Sequence, residues 1–240
     1  MAIERRRYMW YLSKNQSYEL KALSRDLIAK NGWMDQFTIS NKVLLQFHIQ
    51  LGQLNLGKPN RFNILKEMVD TLIVLQHPIN ELKITDREIH DIAFHAYDID
   101  GIAKKAKIPR TYERILNIQN YQPTLPLQKE LDKLAPMIIE KQKKKLGAKH
   151  GIKFQVYRTM EELLELAAEL SKFVRICDTR GTADYIDRKD ADNRIKIIDE
   201  IYDVLFTLRY VMLPLDIKIA DIRKLLDIRL QEISMRELGG

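Results

Sequence analysis

The chain has few of the residues that interrupt or cross-link a small fold. Among its 240 residues are one cysteine, nine glycines and seven prolines. The single Cys177 excludes an internal disulfide and a cysteine-based zinc cluster. The scarcity of glycine and proline disfavours a fold of many short strands, whereas abundant Leu, Ile, Lys, Glu and Ala favour helices. We therefore predict an all-α protein.

Long apolar runs are also absent. The chain has no stretch of about 18 uninterrupted apolar residues, the length that a membrane span needs. The basic N-terminus, MAIERRRYMWYLSK, is not followed by an apolar run of signal-peptide length. We expect no membrane partner and a cytoplasmic location, which would be the host cytoplasm for a virus-encoded protein. The net charge of +7 comes from 40 basic and 33 acidic residues, a surplus that scattered lysines can supply without a nucleic acid partner.

An internal repeat covers much of the chain. Residues 60–89 align with residues 193–222 without a gap, and ten of the thirty positions are identical. The identities include both members of an acidic pair, Glu67 with Glu200 and Asp70 with Asp203. We infer a duplicated helical unit.

The repeat predicts two tandem four-helix units that form a helical bundle, an intramolecular pseudo-dimer. Residues 1–105 would form the N-terminal unit, residues 106–133 a linker with a helix, and residues 134–240 the C-terminal unit. In each unit we expect a leading helix ending at a glycine, a second helix with a Gln or Glu pair, a loop, a third helix with the Glu/Asp pair, and a fourth helix. In the C-terminal unit, the polar residues 178–193 predict the loop.

The second helices of the two units differ in charge. Residues 49–55 align with residues 161–167, which places Gln50 and Gln53 opposite Glu162 and Glu165. A Gln carbonyl coordinates Mg²⁺ weakly but can hydrogen-bond Glu67 and Asp70. We therefore expect an N-terminal copy that keeps the fold, lacks the metal and buries the surface through which a single unit would dimerise. An alignment shifted by three or four residues stays open.

The C-terminal unit has acids on helices that are otherwise rich in apolar residues. Glu200 and Asp203 stand one helical turn apart in a segment that is apolar on nearly every side, and Glu162 and Glu165 have the same spacing. Buried carboxylates must be paired, protonated or bound to a cation. If the two helices are antiparallel, four carboxylates meet in one pocket, where oxygen ligands suit Mg²⁺ or Mn²⁺. Pairing with Lys or Arg of a neighbouring helix is the alternative.

Two motifs here resemble a known family. EELLE (Glu161–Glu165) and EIYD (Glu200–Asp203) are similar to the EExxE and ExxD motifs of the all-α NTP pyrophosphohydrolases, which include MazG-like proteins, dimeric dUTPases and phosphoribosyl-ATP pyrophosphohydrolases. The resemblance implies Mg²⁺-dependent cleavage of an NTP or dNTP to the monophosphate and pyrophosphate. It also implies that Glu162, Glu165, Glu200 and Asp203 are metal ligands and that Glu162 orients the attacking water.

Two features depart from this family or are not marked by its motifs. The 34 residues between Glu165 and Glu200 are more than the resemblance implies, so the loop of residues 177–192 would be a lid or a structural insertion. Aspartates in this loop raise the alternative of calcium, but the Gly and the terminal Glu of an EF-hand are absent. Lys172 and Arg229 are our candidates for binding the triphosphate.

A second class of function rests on a different segment. IAKKAKIPRTYERIL (Ile102–Leu116) has the outline of a helix-turn-helix, although Lys107 stands where the turn usually has a glycine. The alternative function is therefore a non-catalytic helical protein that binds nucleotides or DNA and acts as a regulator. His90 and His95 lack the i, i+4 spacing of a chelating pair. No motif marks the preferred base or sugar, and a homo-oligomer is compatible with the pattern.

Overall fold

The structure, a computed structural model, describes residues 12–57, 60–85, 88–89, 153–177, 188–212 and 214–239. The helices in these ranges are α1 (Lys14–Asn31), α2 (Trp33–Asn55), α3 (Arg61–Glu81), α4 (residues 153–177), α5 (Arg188–Met212) and α6 (Ile219–Ile233), and a π-helical turn (Ser234–Leu238) follows α6. No strand occurs in these ranges, which confirms the all-α prediction. The predicted linker, the helix-turn-helix candidate, His90 and His95 lie outside the described residues.

Local signals in the sequence account for the helix boundaries. Ser13 and Gln16 form a capping box at the start of α1, with each side chain accepting from the other residue's backbone N–H. The helix ends as predicted at Gly32, whose φ of +84° is costly for residues with a Cβ. The Asn60 side chain caps α3 by accepting from the Asn63 backbone N–H at 3.0 Å. One boundary differs from the prediction: residues 188–193, expected in the loop, form the first turns of α5.

Helices α3 and α5 supply the centre of the core. Every residue from Met68 to Ile79 of α3 is buried, and so is every residue from Val204 to Leu208 of α5. This burial matches the apolar residues that predominate in these two stretches. No helix in the described part of the chain is long and apolar enough to cross a membrane.

The helices form two hairpins that pack against each other. Ser40 on α2 donates to the carbonyl of Val74 on α3 at 3.2 Å, and Thr159 on α4 donates to the carbonyl of Thr207 on α5 at 3.2 Å. The two hairpins meet through α2 and α4, where Asn41 donates to the Ser171 hydroxyl at 2.9 Å. Together the four helices form a bundle, against which α1 and α6 pack.

An arginine at the start of α3 contacts the segment that follows α5. Arg61 donates to the carbonyl of Leu215 at 3.0 Å and to the carbonyl of Asp216 at 3.2 Å. It also forms an ion pair with Asp221 at 2.7 Å. These carbonyls follow the last turn of α5, so Arg61 ties the first turn of α3 to the segment between α5 and α6.

The reciprocal contact joins the start of α5 to the end of α3. Arg194 donates to the carbonyls of Leu82 at 2.9 Å and Lys83 at 3.4 Å and pairs with Glu88 at 2.7 Å. Each of these four residues lies 133 positions before or after its counterpart in the Arg61 contact, the same offset as in the sequence repeat. Reciprocal contacts of this kind characterise an interface between two equivalent copies. The sequence repeat is therefore also a repeat in three dimensions.

The hydroxyl contacts revise the alignment of α2 with α4. Ser40 and Thr159 each also donate to the carbonyl four residues earlier, so they are equivalent positions, and they lie 119 residues apart rather than the 112 of our sequence alignment. The difference of seven residues is close to two helical turns and leaves the buried face unchanged. In the revised register the counterparts are Val43 for Glu162, Gln46 for Glu165 and Gln50 for Glu169.

Candidate metal centre

Three carboxylates converge between α4 and α5. Glu162 comes from α4, and Glu200 and Asp203 share one face of α5 because they are one turn apart. One carboxylate oxygen from each residue lies within 4.8 Å of those of the other two. Glu162 is only 1% exposed, and the Oε2 atoms of Glu162 and Glu200 are buried without a hydrogen-bond partner. Unpartnered buried carboxylate oxygens in one cluster fit a site for a hard divalent cation.

Arg158 contacts this cluster. Arg158, one turn before Glu162 on α4, places its Nε atom 2.6 Å from Glu162 Oε1. A second guanidinium nitrogen lies 2.6 Å from Glu161 Oε2. Because Arg158 divides its charge between these two carboxylates, it does not neutralise the three clustered acids.

Further acids surround the cluster and strengthen its negative potential. Glu165 is exposed one turn after Glu162, and its charge raises the pKa values of all three clustered carboxyls. Glu169 also acts on Glu200, but it is itself compensated, since it accepts a 2.8 Å hydrogen bond from Asn193 and pairs with Lys172.

The pKa values of the clustered carboxyls are shifted towards the protonated form. Burial, followed by the charge of Asp203, raises the pKa of Glu162 to about 8. Burial, followed by the charge of Glu165, raises the pKa of Glu200 to about 8. Burial, followed by the charge of Asp199, raises the pKa of Asp203 to about 7. A divalent cation would offset both causes, since it supplies positive charge inside the cluster.

The predicted site residues do not all meet. Of the four expected ligands, Glu162, Glu200 and Asp203 form the cluster, and Glu165 stands at its rim. Lys172 pairs with Glu169. Arg229 on α6 pairs with Asp70 of α3 at 2.8 Å and with Glu232 at 2.6 Å. Arg229 thus contacts the acidic pair of the N-terminal copy.

Protein cations contact the N-terminal acidic pair, although the Oε2 atom of Glu67 is buried without a hydrogen-bond partner, as are those of Glu162 and Glu200. Lys66 lies 3.0 Å from Asp70 and 3.4 Å from Glu67, and Arg229 is the second partner of Asp70. Lys66 occupies the position that corresponds to Asp199 in the C-terminal copy. This copy therefore replaces one acid of the C-terminal copy with a built-in ammonium group.

The expected hydrogen bonds from the N-terminal glutamines to the acids are not formed among the described residues. Gln53 is exposed and Gln50 is half-buried, while Glu67 and Asp70 bond to cations instead. The register of α2 explains this, because the residue that corresponds to Glu162 is Val43, and Gln50 lies about two turns further along the helix.

Sequence reasoning missed Arg158 and Asp199. A signal for Arg158 was present, since it stands four residues before Glu162 and therefore on the same helical face. Asp199 directly precedes Glu200, and adjacent residues of a helix point in different directions, so its influence became visible only in three dimensions.

Comparison with models of known protein families, with characterised proteins and with solved structures finds no match. What the fold and the site define is an all-helical protein with a buried carboxylate cluster in one of two repeated hairpins.

Proposed function

We propose that this chain is a divalent-metal-dependent NTP pyrophosphohydrolase of the all-α, MazG-like type, with its active site in the C-terminal copy. The observation that carries the proposal is the cluster of Glu162, Glu200 and Asp203, whose oxygens lie within 4.8 Å of one another. In Glu162 and Glu200, one carboxylate oxygen is buried and has no hydrogen-bond partner, as expected for a residue that coordinates a cation. The EExxE and ExxD pattern agrees with this geometry.

The donor set favours Mg²⁺, or Mn²⁺ in its place. All ligand atoms in the cluster are carboxylate oxygens, and no thiol or imidazole of the described residues joins them, which disfavours zinc. Mg²⁺ prefers a few carboxylates together with substrate phosphates. When bound, it would polarise a phosphoryl group and neutralise the charge that develops during displacement.

Residues of the chain would then bind the cation and orient the attacking water molecule. Glu162, Glu200 and Asp203 would hold the cation from two helices whose positions the bundle fixes. Glu165 is exposed beside them, so its carboxylate can orient a water molecule and exchange a proton with solvent. We assign the water-orienting role to Glu165 in preference to Glu162, because the Glu162 carboxylate is buried and bonded to Arg158.

The N-terminal copy would act as the built-in partner. It lacks a carboxylate at the Glu162 position, and its acids are bound by Lys66 and Arg229. We infer that it holds no metal and supports the active copy through the reciprocal Arg61 and Arg194 contacts.

The test is pyrophosphate release from all eight canonical NTPs and dNTPs, with Mg²⁺ or Mn²⁺, by the wild type and two matched variants. Glu200→Gln removes a ligand, whereas Glu67→Gln makes the same change at the corresponding position of the N-terminal copy. We expect release by the wild type and by Glu67→Gln, and a loss of about a hundredfold or more in Glu200→Gln. Silence of the wild type across the panel would count against the proposed substrate class, and equal loss in both variants would count against the single site.

A further inference from the structure

Arg158 makes a contact that a metal ion would have to share. Its Nε atom lies 2.6 Å from Glu162 Oε1, and Glu162 is one of the three residues whose oxygens converge. The Arg158 side chain is 45% exposed, whereas that of Glu162 is 1% exposed. The arginine therefore reaches from solvent into the cluster and supplies positive charge at a carboxylate that would coordinate a cation.

The N-terminal copy provides an internal comparison for this arginine. In the revised register the counterpart of Arg158 is Ile39, and that of Glu162 is Val43. Ile39 is an exposed apolar side chain, so the repeated fold does not need a cation at this position. The arginine occurs in the copy that has the carboxylate cluster, which associates it with the site rather than with the packing of α4.

A divalent cation in the cluster would weaken the hold of Glu162 on Arg158. The cation and the guanidinium repel each other at such short range, and both draw on the same carboxylate. Glu161 would still anchor Arg158 at the rim, since its Oε2 atom lies 2.6 Å from the second guanidinium nitrogen. The freed edge of the guanidinium would then face solvent next to the cation, where phosphate groups of a metal-bound nucleotide must lie.

We propose that Arg158 is the counter-ion of the carboxylate cluster when no metal is bound, that a divalent cation displaces it from Glu162, and that it then binds a phosphate group of the nucleotide. This inference rests on the function proposed above. A guanidinium suits the role because its planar set of N–H donors matches two phosphate oxygens at once. Arg158 would thus supply positive charge to the buried carboxylates when no metal is bound and would bind a substrate phosphate when the metal is present.

The experiment measures two affinities in the full chain at pH 7.5. The first is for Mn²⁺ alone, by titration calorimetry, and the second is for inorganic pyrophosphate at saturating Mn²⁺. Arg158→Gln removes the competing charge, so its Mn²⁺ affinity should rise about tenfold, and its pyrophosphate affinity should fall about tenfold. Arg25→Gln, which changes an exposed arginine on α1, is the matched control and should alter neither affinity.

A second variant covers the case in which Arg158→Gln fails to fold. Arg158→Lys keeps the charge but offers a single ammonium, so its Mn²⁺ affinity should stay near that of the wild type while its pyrophosphate affinity falls at least about threefold. Wild-type binding of Mn²⁺ with unchanged or weaker binding in Arg158→Gln would overturn this inference alone. Absence of Mn²⁺ binding in the wild type would overturn the proposed metal site and this inference with it.

Discussion

Replacing one metal ligand should stabilise the metal-free protein while abolishing its activity. In Glu200→Gln the buried carboxylate becomes a neutral group of the same shape. Each like-charge contact within the 4.8 Å cluster would cost about 3 kcal/mol at an effective dielectric constant of about 20. Glu200 is only partly buried, so solvent screening reduces the expected gain in unfolding free energy to about 1–3 kcal/mol at pH 8. A chain of this size should then melt about 2–10 °C higher.

The raised pKa of Glu200 makes the stability of the metal-free wild type depend on pH. Because the pKa of folded Glu200 is raised to about 8 from its ordinary value of 4.5, the folded state holds a proton that the unfolded state releases between these pH values. The metal-free wild type therefore loses stability as the pH rises through this window, and Glu200→Gln lacks this contribution. At pH 4 the carboxyl is largely protonated in both states, so the two proteins should differ little.

The assay is thermal and guanidinium unfolding in EDTA at pH 4 and pH 8, with and without subsequent excess Mn²⁺. Excess Mn²⁺ should raise the melting temperature of the wild type more than that of Glu200→Gln. Glu67→Gln is the control, since Glu67 is paired with Lys66 and gains nothing from losing its charge. The reasoning would be refuted if metal-free Glu200→Gln were less stable than the wild type at pH 8.

Three further predictions concern the repeat and the site. Arg194→Ala should lower the unfolding free energy by about 2 kcal/mol and Arg61→Ala by about 1 kcal/mol, because the Arg194 side chain is 26% exposed and that of Arg61 is 49% exposed. Chemical denaturation measures both changes in free energy, and no change in either variant would contradict the interface between the two copies. Asp70→Asn should destabilise the metal-free protein at pH 8, since it leaves Lys66 and Arg229 without a shared partner, whereas the corresponding Asp203→Asn should stabilise it. Changes of the same sign in the unfolding free energies of the two variants would argue against different roles for the two copies. Mn²⁺ affinity should increase from pH 6 to pH 8, because burial and neighbouring acids raise the pKa values of the ligands to about 7 and 8 and protons must leave before the metal binds. Calorimetry at several pH values measures this affinity, and an affinity that does not change with pH would contradict protonated ligands.

The fold was predictable because the sequence pattern and the packing agree. The 3.6-residue periodicity, the terminating Gly32 and the largely apolar segment of residues 193–208 correspond to helices α1, α3 and α5 as the structure has them. The gapless alignment of residues 60–89 with residues 193–222 agrees with the structure, since the aligned Arg61 and Arg194 make the same contact in each copy.

The register of α2 against α4 could not be predicted for a physical reason. A shift of seven residues leaves a helix with the same buried face, so apolar periodicity fits both alignments equally well. What separates them is a contact to another helix, the hydrogen bonds of Ser40 and Thr159 to the carbonyls of Val74 and Thr207. Such a contact depends on tertiary structure, which a pattern along one helix does not contain.

Within the candidate site, spacing along each helix identified the acids, and the bundle decided which of them meet. Glu162, Glu200 and Asp203 converge, but Glu165 points to the rim. Arg229 could not be placed from sequence, since its partner Asp70 lies 159 residues away in the other copy.

The most direct measurement of the central claim is the position of the metal itself. Crystals of the full chain soaked in Mn²⁺ would be measured for anomalous scattering near the manganese absorption edge. We predict a peak coordinated by Glu162, Glu200 and Asp203 and none between Glu67 and Asp70, where Lys66 already supplies the charge. An empty carboxylate cluster, or a peak at the N-terminal pair instead, would contradict the account.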